Sequence, residues 1–489
     1  MVLSILLRGK AIHIIDKVVE SDILYRIKAW QIESISEDDI HYVYQFYFIL
    51  TELTMKNGRS KFTGRFTQFA TYKRFNNETD QLFLHCEGKE GHTSTTGGLT
   101  ALEAAWNVTN AIQGMFLVSL PYSVYHGGYW SLLAMMGVAW ICTYTGQILI
   151  SCLYEPSPST GLLTKVRYSY VDIAEKVWGK RFGAPILFIA QNIELLMTCI
   201  LYLVLCGELL AGSFPQFHIP VRYWICISCI FTLPYSFIRS LRLVSRFSAG
   251  NAVVHLIINM IIIIYCLTQA WKWDWSKIQF RINIASFPTS LGIIVFSYTS
   301  QIFLPTLENN MRYPHQFNAM LALSHIIAAI FKTGFALIGF LTWQEQTSEV
   351  ITNNLPTQQL RIVINLTLAI KALLSYPLPY FAACELILPK FSLSNEMTTW
   401  KTILARIILI LSTLIMALCI PHFAQLMGLI GSITGVFLSL VWPCYFYLHL
   451  KGYLLSWTTI CGNLAIIIFG FMCTISGIID SSRELAKKF

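Results

Sequence analysis

Charge is scarce in this chain: Asp, Glu, Lys and Arg make up 12% of its 489 residues, against roughly a quarter in soluble domains. With 55% hydrophobic residues and a mean hydropathy of +0.56, that scarcity points to a polytopic, all-α membrane protein. Nor does the sequence contain a phosphate-binding GxxxxGK followed by Ser or Thr, an HExxH zinc motif or a GxSxG nucleophile elbow. ATP-driven pumping and enzymatic chemistry within the chain are therefore not expected, and neither is a cofactor. Matched cysteine pairs in the candidate loops are missing as well. The thirteen cysteines, among them Cys142, Cys199, Cys226, Cys229 and Cys419, lie mostly inside apolar runs, so buried free thiols are expected rather than a disulfide framework. Cys226 and Cys229 have CxxC spacing without a second pair, so no metal site is expected.

The net charge of +9 would suggest nucleic acid in a soluble protein. Here the basic residues cluster in short loops between apolar runs, which is an orientation signal, and nucleic acid is not an expected partner. Residues 1–100 have mixed charge, lack the ordered regions of a signal peptide, and hold an apolar run at 42–50 too short to span a bilayer. They read as a cytosolic N-terminal region, mostly disordered. From 101 to 480 the apolar stretches recur near spanning length, at 104–125, 129–153, 185–211, 221–238, 247–269, 288–307, 319–343, 361–386, 402–420, 422–447 and 455–479. That makes about eleven spans. With a cytosolic N-terminus, the cytosolic loops receive Lys165, Arg167, Lys180, Arg181, Arg239 and Arg242, whereas the opposite loops receive chiefly Lys272, Lys277 and Arg281, as the positive-inside rule requires. The tail 481–489 then falls on the lumenal side, although its own basic residues leave an even count open.

Two spans spoil their own middles. The first carries Asn107, Thr109, Asn110 and Gln113, then Gly114 and Pro121; the sixth carries Ser297, Tyr298, Thr299, Ser300 and Gln301, then Pro305. An unpaired backbone group costs several kcal/mol in hydrocarbon, so such breaks must be buried in protein or face a watery cavity. One break in each half predicts a transporter of two inverted five-helix repeats, with substrate at the interruptions. The exposed amides of a half-helix can hold a carboxylate without a buried Arg or Lys. On this logic Asn110, Ala111, Gln113, Gly114 and Met115 are candidates for the carboxylate side, and Phe296, Ser297, Tyr298 and Thr299 for the opposite wall. Glu194, deep in the third span, is the candidate proton-coupling residue, because an intramembrane carboxylate is costly unless protonated or paired. A purely structural carboxyl is the alternative. Lys332, Lys371, Glu385, His255 and His325 are assigned to snorkelling or structural pairing, His126 to a loop, and Pro377 and Pro379 to a bend in the eighth span.

At "EAAWNVTNAIQGMFLVSLPYSVYHGGYW", "YTGQILISCLYE", "IELLMTCILYLV", "FPTSLGIIVFSYTSQIFLPTLENNM", "KALLSYPLPYFAA" and "PHFAQLMGLIGSITG" the chain resembles the amino acid/auxin permease family. Within that family it is similar to the vesicular carriers of inhibitory amino acids, over nearly all of 100–480. The resemblance implies a leucine-transporter-like fold with broken helices 1 and 6. It also implies exchange of lumenal protons for cytosolic GABA or glycine across the synaptic-vesicle membrane, with β-alanine a further candidate substrate and chloride a further candidate ion. Residues 1–100 depart from the usual N-terminal region of those carriers. The alternative is a proton-coupled amino acid symporter of the plasma or lysosomal membrane; a channel or receptor is disfavoured by the paired breaks.

Overall fold

The computed structural model describes residues 99–112, 114–157, 163–237, 241–278, 280, 286–391 and 400–488. The expected cytosolic region up to residue 98, Gln113, Arg239 and Arg281 lie outside the described residues, as do the side chains of Asn110, Ala111 and Arg242.

The chain is an all-α polytopic membrane protein. Its helices are α1 (Ala101–Ile112), α2 (Leu120–Ser151), α3 (Tyr170–Trp178), α4 (Gly183–Ser213), α5 (Val221–Thr232), α6 (Leu241–Thr268), α7 (Phe287–Tyr298) and α8 (Leu304–Asn309), followed by α9 (Phe317–Trp343), α10 (Gln358–Ser375), α11 (Pro377–Ile387), α12 (Trp400–Cys419), α13 (Phe423–Ile430), α14 (Trp442–Lys451) and α15 (Trp457–Lys488). A short antiparallel hairpin, β1 (Tyr154–Pro156) and β2 (Leu163–Lys165), sets Tyr154 opposite Lys165. Each of the eleven expected segments is helical over most of its described length. Among the described residues, seven helical stretches are long and apolar enough to cross a membrane: Met115–Ser151, Gly183–Ser213, Pro314–Gln346, Gln358–Ile387, Trp400–Cys419, Phe423–Leu454 and Trp457–Arg483. Val253–Thr268 and Phe287–Tyr298 are shorter apolar helices.

Local chemistry explains the ends and joints. The Thr100 amide donates to the Glu103 carboxylate at 2.8 Å and the Glu103 amide to the Thr100 hydroxyl at 3.3 Å, a capping box that satisfies donors left over at the start of α1. Pro121 lies in the first turn of α2, where a missing N–H costs no helix hydrogen bond. Inside α2, Gly128 has φ 55° and ψ −141°, a conformation open to glycine, so this single residue divides the expected first and second spans. His126, expected in a loop, is instead helical, because the reversal is confined to Gly128. Its ring packs 4.5 Å from Tyr122 and 5.0 Å from Tyr125. At the predicted bend before Pro377, Tyr376 keeps φ −51° and ψ −40°, so the two prolines punctuate the helix there without unwinding it.

The core forms where α9 packs on α2, α10 on α4, and α7 on both α2 and α13. Every residue of α7 from Thr289 to Tyr298 is buried, as expected of a helix apolar on all sides. Outward faces carry Trp140, Ile230, Ile415 and Ile475, each at least 60% exposed, a surface that soluble monomers avoid. All twelve cysteines among the described residues are free.

Candidate functional site

Both predicted interruptions exist. α1 stops at Ile112; Gly114 is extended, with φ −51° and ψ −174°, and a short 3-10 turn, Met115–Ser119, leads into α2. α7 stops at Tyr298; Thr299 is extended, with φ −63° and ψ 115°, and α8 begins only at Leu304. The two breaks meet through aromatic rings. Phe116 lies 5.0 Å from Phe296, edge to face, and 5.4 Å from Tyr202 of α4, with Phe423 stacked at 6.1 Å. Met115, Phe296, Ser297 and Tyr298 are buried, while Gly114 and Thr299 are partly accessible.

Side chains take over from the lost backbone bonds at the second break. Gln301 is fully buried; its Oε1 accepts from the Ser300 amide at 3.0 Å, and its Nε2 donates to the Cys142 carbonyl and the Thr145 hydroxyl, each at 3.3 Å. Ser297 Oγ donates back to the Ile294 carbonyl at 2.7 Å, a local bond serines often make in membrane helices. The end of α7 also holds a charge that the sequence reading assigned to snorkelling or structural pairing. Lys332 of α9 is wholly buried, and its Nζ donates to the Ser297 carbonyl and, at 3.1 Å, to the Ser297 hydroxyl. The same ammonium lies 3.8 Å from the centroid of the Tyr298 ring, and His325 stacks on that ring at 6.3 Å. A cation at a helix C-terminus meets the negative end of the helix dipole. The Tyr298 hydroxyl, Ser300 Oγ and His325 Nε2 are buried without hydrogen-bond partners, so polar capacity unused by the protein gathers at this break.

Glu194 is buried in α4 and accepts a hydrogen bond from the Thr434 hydroxyl. Thr434 belongs to a π-helical stretch, Gly431–Gly435, that follows α13; such wide turns recur at functional sites. This stretch and α13 lie directly on α7, where a Cβ at Gly292 would overlap the Gly428 carbonyl and Ser432 Oγ. Glu194 is thus one hydrogen bond from the segment against which the broken α7 packs.

Three further carboxylates were missed by the sequence reading. Glu208 stands near the end of α4, and its carboxylate accepts from the Phe423 amide at 3.1 Å; Glu349 accepts from the Ala424 amide at 3.0 Å. Together they cap the start of α13, and they line a cavity of about 500 Å3 with Arg222, Asn353 and His422. The Ser119 hydroxyl, just past the first break, donates to the Glu349 carbonyl at 2.7 Å. At the end of α8, buried Glu308 accepts from Tyr154 and pairs with Lys165 of the hairpin. Nearby, Leu99 and the 310–312 stretch exchange backbone bonds at 2.8 Å. Glu208 could have been noticed as a second carboxylate within the expected third span. Of the other ionisable residues, Lys371 and His255 are buried and Glu385 is exposed.

Comparison with known proteins gives this architecture its context. The profile of the family described as transmembrane amino acid transporter protein matches residues 97–482. The chain is 46% identical over 409 residues to the vesicular inhibitory amino acid transporter of Xenopus tropicalis, covering 80% of this chain and 78% of that one. It is 44% identical over 407 residues to the human protein of the same name, covering 80% and 77%. It is 45% identical over 423 residues to the vesicular GABA transporter of Caenorhabditis elegans, covering 84% and 85%. A transporter family, not an enzyme family, accounts for the long apolar helices and their interruptions: the chain belongs to the transmembrane amino acid transporter proteins.

Proposed function

We propose that this chain loads GABA, glycine or a similarly small amino acid into synaptic vesicles in exchange for lumenal protons. The observation that carries the reading is the meeting of the two interrupted helices, Phe116 against Phe296 at 5.0 Å, in a chain whose relatives are named vesicular inhibitory amino acid and GABA transporters. The expected segments 104–125, 221–238, 247–269 and 288–307 count as further spans in this reading. Eleven spans then form a leucine-transporter-like pair of inverted repeats in the lipid bilayer, with residues 1–100 cytosolic and 481–489 lumenal.

Substrate chemistry follows from helix ends. The amides that open the Met115–Ser119 turn, with Gly114 and the preceding Asn110, Ala111 and Gln113, take the carboxylate. The carbonyl end of α7, lined by Phe296, Ser297, Tyr298 and Thr299, takes the ammonium. Glu194 relays the proton across the membrane interior, and its bond to Thr434 couples that event to the packing of α7. Rocking of the broken-helix bundle then alternates access to the two sides.

Uptake of labelled GABA into proteoliposomes containing the purified chain, with glycine and β-alanine as competitors, tests the proposal. Uptake driven by an acidic interior and inhibited by glycine is the expected result. Uptake that requires an acidic exterior would overturn exchange in favour of symport. Replacing chloride with gluconate in the same assay shows whether chloride takes part.

A further inference from the structure

We infer that Lys332 is the group on which the coupling proton relayed by Glu194 comes to rest, and that its ammonium and that of the transported amino acid are alternative occupants of the carbonyl end of α7. The inference rests on the exchange reading above and gives it a mechanism for coupling. Lys332 is 0% exposed, and its Nζ touches the Ser297 carbonyl, the Ser297 hydroxyl and the face of the Tyr298 ring. No carboxylate pairs with it among the described residues. A buried ammonium held only by neutral oxygens and a ring face is poorly compensated for its lost water. Lysine, unlike arginine, can answer by giving up the proton. The titratable groups that face it are the Cys142 thiol from α2, the Tyr298 phenol from α7, and the His325 imidazole two turns earlier on its own helix. None of these is an acid that would fix its charge.

The position explains why proton and substrate would exchange rather than travel together. Two ligands that cannot share one acceptor have unfavourable coupling, and the coupling is reciprocal. When the Nζ lone pair takes a proton from the lumen, the ammonium forms three N–H donors and occupies the Ser297 carbonyl. The amino acid's own ammonium is then repelled from the same oxygens and leaves. When the proton departs to the cytosol, the neutral amine no longer brings positive charge to that carbonyl end, which carries about half a negative charge. The next substrate ammonium takes its place. One proton is bound and one released per cycle at this atom, with no other reactant.

The test uses the full chain in proteoliposomes with radiolabelled GABA. Two transport assays are compared: counterflow, which needs no net proton movement, and uptake driven by an imposed pH gradient. The pH dependence of GABA affinity is measured alongside. In the wild type, affinity should weaken as pH falls. Lys332→Met should keep counterflow, lose gradient-driven uptake by about tenfold or more, and show an affinity that no longer changes with pH. Lys332→Arg, permanently charged, should bind GABA poorly at every pH. Gradient-driven uptake by Lys332→Met at the wild-type rate, or wild-type affinity in Lys332→Arg, would overturn the assignment. Should neither variant fold, Ser297→Ala serves instead: removing one acceptor should move the pH midpoint of GABA affinity, and an unmoved midpoint counts against Lys332. Absence of GABA counterflow in the wild type would strike the transport reading itself, a result separable from all of these.

Discussion

A single methyl group added at Gly292 probes the contact on which the second break rests. At Gly292 an added Cβ would overlap the Gly428 carbonyl and Ser432 Oγ, and at Gly431 it would overlap the Gly292 carbonyl. Backbone atoms cannot swing aside as the tip of a long side chain can, so α7 and α13 would have to separate. Forcing an extra carbon into a packed interior costs about 1–3 kcal/mol, and the better helix propensity of alanine returns up to about 1 kcal/mol. With that full offset, a net loss of up to about 2 kcal/mol follows for Gly292→Ala. Gly334 and Gly462 have nothing within 4 Å of an added Cβ, so alanine there should leave stability unchanged or slightly raised. Thermal denaturation of detergent-solubilised protein, followed by fluorescence-detected size exclusion, gives the ranking. Because Gly292 and Gly431 hold the same two segments together, the double alanine variant should cost less than the sum of the single ones. The packing argument fails if Gly292→Ala melts no lower than Gly334→Ala.

Three other perturbations separate structure from transport. Glu194→Gln should fold, because an amide can still accept from Thr434, yet it should lose proton-coupled uptake; normal gradient-driven uptake would remove Glu194 from the mechanism. Lys165→Met leaves buried Glu308 with only the Tyr154 hydroxyl, and stranding a buried charge costs about 3–5 kcal/mol. Lys165→Met/Glu308→Leu should recover much of that loss, and equal melting temperatures for the single and double variants would contradict it. Tyr298→Phe removes a hydroxyl that has no hydrogen-bond partner, so stability should barely change. A fall in uptake at unchanged melting temperature would then identify the hydroxyl as a direct contact of the transported molecule.

The helices and their breaks were readable because their causes are local. Bilayer thickness sets the length of a span, and Gly114, Pro121 and Pro305 mark the interruptions within a few residues of where they occur. Partners of buried charges were not readable, because those pairings are tertiary. Lys332 meets a residue 35 positions away, Glu308 one 143 positions away, and Glu194 one 240 positions away. A lone lysine in an apolar helix looks the same to a hydropathy window whether its tip snorkels outward or points into the core. The π-helical turn at Gly431–Gly435 escaped for a related reason: its neighbours on α7 and α4 are distant in sequence, and "GSITG" alone reads as an ordinary small-residue stretch.

The contacts at the two ends of the breaks also constrain how such a molecule can move. Leu99, just before α1, is hydrogen-bonded to the 310–312 stretch just after α8, so α1 and α8 are joined and should shift together. Glu308 of that same unit is held by the hairpin through Lys165 and Tyr154, and the hairpin extends from the end of α2. At the other end, Ser119 is hydrogen-bonded to the loop bearing Glu349, which with Glu208 caps α13 beside an open cavity of about 500 Å3. In the exchange reading, the Glu308 contacts and the Leu99 pairs are the ties at the α8 end, and the packing of Gly292 against α13 links α7 to the stretch that holds Glu194. On that reading, charge placed at the carbonyl end of α7 acts at the junction of the broken helix with α9 and α13.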